Sequence, residues 1–135
     1  ELAPRPHTSG RYSIEACSLS QFDQQLLTVG GARAEAPQLL VPGALMVNLL
    51  GFEARGADHP EADYPQQRAA LQALPQLHLH WYGKQGSSVG RKLGHVTVLL
   101  QQGDAQARRQ EAMERLDQIR RIWPLPDGAP SAQGA

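Results

Sequence analysis

The alternation of apolar and polar positions is clearest between residues 78 and 100. His78, His80 and Tyr82 alternate with Leu79, Trp81 and Gly83, a period of two that predicts a strand with one polar face. The connector Gln85-Gly86-Ser87-Ser88 has turn composition, and beyond it Val96, Val98 and Leu100 alternate again, so the whole segment predicts a β-hairpin. Upstream, Ala44-Leu45-Met46-Val47-Asn48-Leu49-Leu50 is almost continuously apolar and predicts a strand buried on both faces, with Asn48 as a buried amide in need of partners.

Helical spacing marks three other stretches. From Ser13 to about Val29, Ile14, Cys17, Phe22, Leu26 and Val29 form an apolar side and Gln21, Asp23, Gln24 and Gln25 face outward. Ser18 and Ser20 introduce a bend, and Gly30-Gly31 ends the helix. Pro65 to Leu74 predicts a short helix that starts with proline and stops at Pro75. Asp104 caps a final helix through Ile122, with Ala105, Ala112, Leu116, Ile119 and Ile122 or Trp123 on its apolar side. Between these elements, Glu1 to Arg11 reads as a strand entering a loop because Pro4 and Pro6 forbid a helix. Arg33 to Gln38 is a linker, Phe52 to Asp63 a polar loop, and the residues after Pro124 a disordered tail. The sum is an α+β chain. Glu1 falls inside what reads as an element, so further sequence is expected upstream.

Charge narrows the range of partners. Thirteen Lys and Arg balance thirteen Asp and Glu among the 135 residues, which gives no general attraction to nucleic acid or to an anionic membrane surface. Aromatic residues make up 5%, too few for a platform that stacks single-stranded bases. No apolar run is long enough to span a membrane. The single cysteine, Cys17, excludes an internal disulfide framework, reads as a small core residue, and suits a reducing, cytoplasmic setting.

Candidate chemistry gathers in two places. Lys84, Arg91, Lys92 and His95, separated by Gly83, Gly86, Gly90 and Gly94, place donors at the turn end of the hairpin, and a forked guanidinium with a point-charged ammonium suits a phosphate monoester. The same residues also suit plain solvation of a turn. At the start of the chain, Arg5 and His7 flank Pro6 and project to one side of an extended path, with Glu1 and Ser9 close by. A carboxylate, a guanidinium, an imidazole and a hydroxyl suit metal and phosphate chemistry, or equally a polar edge strand followed by a turn. Asp58, His59, Glu61 and Asp63 are metal-ligand types without a recognised spacing and read as a solvated loop.

These stretches together resemble one family. Glu1-Leu2-Ala3-Pro4-Arg5-Pro6-His7-Thr8-Ser9-Gly10, Ile14-Glu15-Ala16-Cys17, Ser20-Gln21-Phe22, Met46-Val47-Asn48-Leu49-Leu50-Gly51, His78-Leu79-His80-Trp81-Tyr82-Gly83-Lys84 and Gly90-Arg91-Lys92-Leu93-Gly94-His95-Val96 occur in the order found in 5-(carboxyamino)imidazole ribonucleotide synthase, the ATPase subunit of phosphoribosylaminoimidazole carboxylase in the older name. The resemblance runs from Glu1 to about Leu100. It implies the C-terminal portion of an ATP-dependent ligase of purine biosynthesis. Residues 1–42 would close an ATP-grasp domain, 43–102 form a small β-rich domain, 103–123 the terminal helix and 124–135 the tail.

The implied reaction uses ATP, Mg2+ and bicarbonate to carboxylate the exocyclic amine of 5-aminoimidazole ribonucleotide, in a protein expected to be a homodimer. Glu1 matches the acidic residue at the metal and ATP phosphates, and Arg5 and His7 match the catalytic segment. Lys84 and Arg91 match the positions that hold the substrate phosphate, with Ser9, Lys92 and His95 as weaker candidates. The family pattern His-Asn-Ser-Gly-His reads His7-Thr8-Ser9-Gly10-Arg11 here. Thr8 and Arg11 therefore favour a rival, a non-catalytic module that binds a phosphorylated metabolite or supports dimerisation.

Overall fold

A serine and an aspartate side chain decide where the helix at Gln21–Val29 begins. The structure, a computed structural model, describes residues 5–54, 56 and 63–126. The chain divides into two compact units, one of Glu1–Met46 with Thr97–Arg115 and the other of Val47–Val96 with Leu116–Ala135. Glu1, Asp58, His59, Glu61 and the tail beyond residue 126 lie outside the described residues.

In the first unit, a 3-10 turn at Thr8–Gly10 leads into α1 (Ser13–Ala16) and α2 (Gln21–Val29). The helix expected over 13–29 is thus two helices. The break is chemical: Ser20 is extended, at φ −74° and ψ 162°, and its hydroxyl accepts from the Asp23 amide while the Asp23 carboxylate accepts from the Ser20 amide. This reciprocal capping box satisfies two helix-end donors at once. The bonds from Ser20, its hydroxyl first and then its amide, hold the Asp23 carboxyl below the usual carboxylate range. The stabilisation they give is therefore present above that range and is lost as pH falls through it. Phe22, Leu26 and Val29 are 42%, 73% and 81% exposed, so the apolar side expected for this helix is not buried. Cys17 is half-buried and pairs with Leu39 in an isolated antiparallel bridge.

β1 (Gly43–Leu50), β2 (Leu77–Trp81) and β3 (Lys92–Leu100) form one sheet in the order β1-β3-β2. The central strand is the second strand of the hairpin. Residues 93–98 of β3 are all buried, whereas in β1 only Val47 and Leu49 are. The expectation that β1 is buried on both faces is corrected by its edge position. Asn48 Oδ1 is enclosed and finds no hydrogen-bond partner among the described residues.

The second unit also holds α3 (Pro65–Gln72) and the end of α4 (Ala105–Ile122). As expected, proline opens α3, and Asp104 caps α4 by accepting from the Ala107 amide at 2.9 Å. The core is aromatic. Tyr64 and Trp123 are both fully buried, with ring centroids 4.8 Å apart, and Phe52 meets each of them at 4.8 and 5.5 Å. The Trp123 indole N–H donates to the Leu50 carbonyl at 2.7 Å, which satisfies the one polar atom that this ring carries into the core. No helix among the described residues is long and apolar enough to cross a membrane.

We predict that Trp123→Ala lowers stability by about 3–5 kcal/mol through the cavity it leaves, and that Trp123→Phe costs only about 1–3 kcal/mol through the unpartnered Leu50 carbonyl. Urea unfolding of the two variants checks this, and equal losses would show that the ring stack contributes little.

Candidate functional site

The first candidate segment is held by an amide clamp. Gln21, at the start of α2, reaches back to His7, where its Oε1 accepts from the His7 amide at 2.9 Å and its Nε2 donates to the His7 carbonyl at 2.8 Å. The backbone of His7 is thus satisfied on both sides by one side chain fourteen residues away in sequence. Ser13 fixes the clamp in turn, since its hydroxyl donates to the Gly10 carbonyl and accepts from the Gln21 amide at 2.9 Å. The His7 ring caps the 3-10 turn: Nδ1 accepts from the Ser9 amide at 3.3 Å and lies 3.0 Å from the Ser9 hydroxyl. Arg5 is exposed and lines a shallow open groove with Pro6, Gln21, Gln24 and Val29.

Lys84 and Arg91 are on the connector between β2 and β3, and each is tethered to backbone carbonyls. Lys84 Nζ donates to the Lys92 carbonyl at 2.9 Å and sits 5.7 Å from the centre of the Tyr82 ring. Arg91 Nη1 donates to the Gln85 carbonyl at 3.0 Å and reaches the Gly86 carbonyl at 3.5 Å. One nitrogen of the guanidinium thereby holds the turn, and Nε and Nη2 have no protein partner among the described residues. The connector itself turns through Gly83, Gly86 and Gly90, all at positive φ, so these glycines shape the loop. It is anchored at its far end by Gly51, whose amide donates to the Arg91 carbonyl and whose carbonyl accepts from the Gly90 amide, both at 2.8 Å. A Cβ on Gly51 would collide with the Ser88 carbonyl, so only glycine permits this approach.

The other donors separate. Lys92 is exposed at the start of β3, whereas His95 is 2% exposed. His95 Nδ1 is 2.8 Å from the Tyr82 hydroxyl, and its ring stacks on His80 with centroids 4.5 Å apart and planes 3° from parallel. His95 therefore lies within the face of the hairpin, behind Tyr82. Among the described residues no group of three His, Cys, Asp or Glu comes together to hold a metal.

A half-buried ammonium and an exposed guanidinium, both tethered to backbone carbonyls, thus stand at one end of the hairpin near the paired Tyr82 and His95, and comparison with known proteins finds a likeness to one defined class. Residues 44–110 match the family of phosphoribosylaminoimidazole carboxylase C-terminal domains. The likeness extends over nearly the whole chain to N5-carboxyaminoimidazole ribonucleotide synthases. The Synechococcus elongatus synthase is 49% identical over 96% of this chain and 31% of its own length. The crystal structure of the Thermotoga maritima synthetase superposes with a TM-score of 0.64 at 37% identity, covering 87% of this chain and 31% of that one. An Aspergillus clavatus synthase, solved in complex with ADP and 5-aminoimidazole ribonucleotide, superposes with a TM-score of 0.63 at 27% identity, over 85% of this chain and 29% of that one. The chain thus spans about a third of the length of these relatives, and the α+β fold with its small antiparallel sheet is theirs.

Gln21 and Tyr82 carry positions that residue chemistry alone did not assign. Gln21 was expected to face outward on a helix; it lies instead at a helix start, where the capping box turns it toward His7. The only signal was its place in Ser20-Gln21-Phe22. We predict that Gln21→Ala speeds exchange of the His7 amide hydrogen about tenfold or more, matching the roughly 1–2 kcal/mol of a lost part-buried pair, while amides in β3 keep their protection. Uniform loss of protection across the chain would contradict a local clamp.

Proposed function

We propose that this chain belongs to an ATP-dependent ligase that carboxylates 5-aminoimidazole ribonucleotide with bicarbonate to the N5-carboxyamino product, releasing ADP and phosphate. The observation that carries this reading is the pair Lys84 and Arg91, each tied to backbone carbonyls of the hairpin, Lys84 to that of Lys92 and Arg91 to those of Gln85 and Gly86. An ammonium has three donors and a guanidinium five, so the tethers leave both groups able to bind an anion while restricting where they point. A phosphate monoester matches them, the guanidinium through a forked pair and the ammonium through charge. Support comes from the ribonucleotide and ADP bound to the Aspergillus clavatus relative.

In this reading Lys84 and Arg91 hold the 5′-phosphate of the ribonucleotide. Arg5 and His7 face the reacting carboxyl phosphate, where charge develops during transfer. Ser9 orients the His7 ring, Lys92 adds charge beside the phosphate, and His95 acts through Tyr82. Glu1 is assigned to Mg2+ and the ATP phosphates by resemblance alone. Within the longer protein, residues 1–42 close an ATP-grasp domain, 43–102 form the small β-rich domain and 103–123 its terminal helix. The rival reading, a binding or dimerisation module, drew on Thr8 and Arg11. The 3-10 turn that contains Thr8 closes through the Arg11 amide, which donates to the Thr8 carbonyl at 3.2 Å, a backbone bond that does not depend on either side chain.

The test is ADP release by the full-length protein with bicarbonate, with and without the ribonucleotide, for the native sequence and for Arg91→Ala. We expect release to depend on the ribonucleotide and its KM to rise about tenfold to a hundredfold in the variant, the cost of one charged hydrogen-bonding partner at about 1.5–3 kcal/mol. Release indifferent to the ribonucleotide in folded protein would sink the ligase reading.

A further inference from the structure

His7 presents only one of its ring nitrogens to its own loop, and the identity of the donor there fixes the ring's chemistry. A backbone amide has one hydrogen and no acceptor. The Ser9 amide points at His7 Nδ1 across 3.3 Å, so Nδ1 offers its lone pair, and the proton of the neutral ring is on Nε2. The Ser9 hydroxyl, 3.0 Å from the same atom, is free to rotate and adjusts to that assignment. If Nδ1 carried the hydrogen, two N–H groups would face each other at the cap.

The backbone leaves His7 no easy way out of this arrangement. Gln21 holds its amide and its carbonyl at 2.9 and 2.8 Å, and His7 itself is extended at φ −133° and ψ 159° as the cap of the 3-10 turn. The ring is therefore fixed at both the main chain and Nδ1, and Nε2 is the atom left to meet a substrate.

We propose that His7 acts as a hydrogen-bond donor through Nε2–H, stabilising negative charge on the reacting carboxyl phosphate, and not as a general base. The proposal rests on the ligase reading above, which puts His7 against that group. A neutral ring with its proton on Nε2 has no lone pair at that atom, so it cannot accept a proton from the attacking amine there. It can donate to an oxygen on which charge accumulates, the role that preorganised N–H groups fill in acyl and phosphoryl transfer.

Two substitutions separate the possibilities in the full-length protein. His7→Gln can place an amide N–H where Nε2 stands but loses the cap to the Ser9 amide. His7→Asn keeps an oxygen near Nδ1 and so keeps the cap, but it has nothing at Nε2. Ribonucleotide-dependent ADP release is measured for both, together with the KM for the ribonucleotide and 15N chemical shifts of the His7 ring in the native protein.

The donor role predicts that His7→Gln retains at least tenfold more kcat than His7→Asn, with the ribonucleotide KM little changed in either, and that the 15N shifts report hydrogen on Nε2. Greater activity in His7→Asn would make the cap the whole of His7's contribution and overturn the proposal. Equal loss in both variants, or hydrogen on Nδ1, would overturn it in favour of a base. Native activity in both would instead remove His7 from the site, a failure of the ligase assignment of this residue that the Arg91 measurement does not share.

Discussion

The pair of backbone bonds that Gly51 makes with the Gly90 amide and the Arg91 carbonyl, both 2.8 Å long, is the constraint on which the proposed phosphate seat depends. It joins the end of β1 to the far side of the β2–β3 connector, at a place where any side chain on residue 51 would collide with the Ser88 carbonyl. What lies behind it is the aromatic core. Trp123 bonds the Leu50 carbonyl, one residue before Gly51, and packs on Tyr64. The Tyr64 hydroxyl is 2.7 Å from the Ser87 hydroxyl, which in turn donates to the Glu53 carbonyl at 2.8 Å. A buried ring stack thus fixes a polar loop through three side-chain bonds. A loop with this much glycine would otherwise sample many conformations, and an Arg91 carried on it would bind an anion at a large entropic cost.

The same device recurs at the other candidate segment by different means. There a single side-chain amide spans the peptide groups of His7, and a serine hydroxyl spans Gly10 and Gln21. In each place the residues suited to chemistry are exposed or half-buried, and their positions are set by neighbours that have no chemistry of their own. That is the usual relation between a reactive group and the shell that orients it.

How far this could be read from the sequence differs from element to element. The hairpin, α3 and α4 follow from alternation, proline and an aspartate cap, and all are observed. The division at Ser20 was harder to see, because Ile14, Phe22, Leu26 and Val29 keep helical spacing across a boundary set by a capping box. β1 looks like an interior strand by composition and is an edge strand with only Val47 and Leu49 buried, since apolar content alone does not report position in the sheet. Lys84 and Arg91 were legible as donors on a glycine-rich turn. Their carbonyl tethers were not, because a side chain bonding to backbone across a loop leaves no periodic trace. His95 was grouped with the turn-end donors by proximity in sequence, and its burial behind Tyr82 follows from the strand parity that brings it onto the face of His80.

The central claim is that the connector cations form the seat of the ribonucleotide phosphate. A crystal structure of the full-length protein with ADP and 5-aminoimidazole ribonucleotide tests it most directly. The account predicts the 5′-phosphate within hydrogen-bond distance, about 2.7–3.2 Å, of Lys84 Nζ and of the Nε or Nη2 of Arg91, with the connector backbone unmoved. A phosphate held by other residues, with Lys84 and Arg91 in solvent, would contradict it.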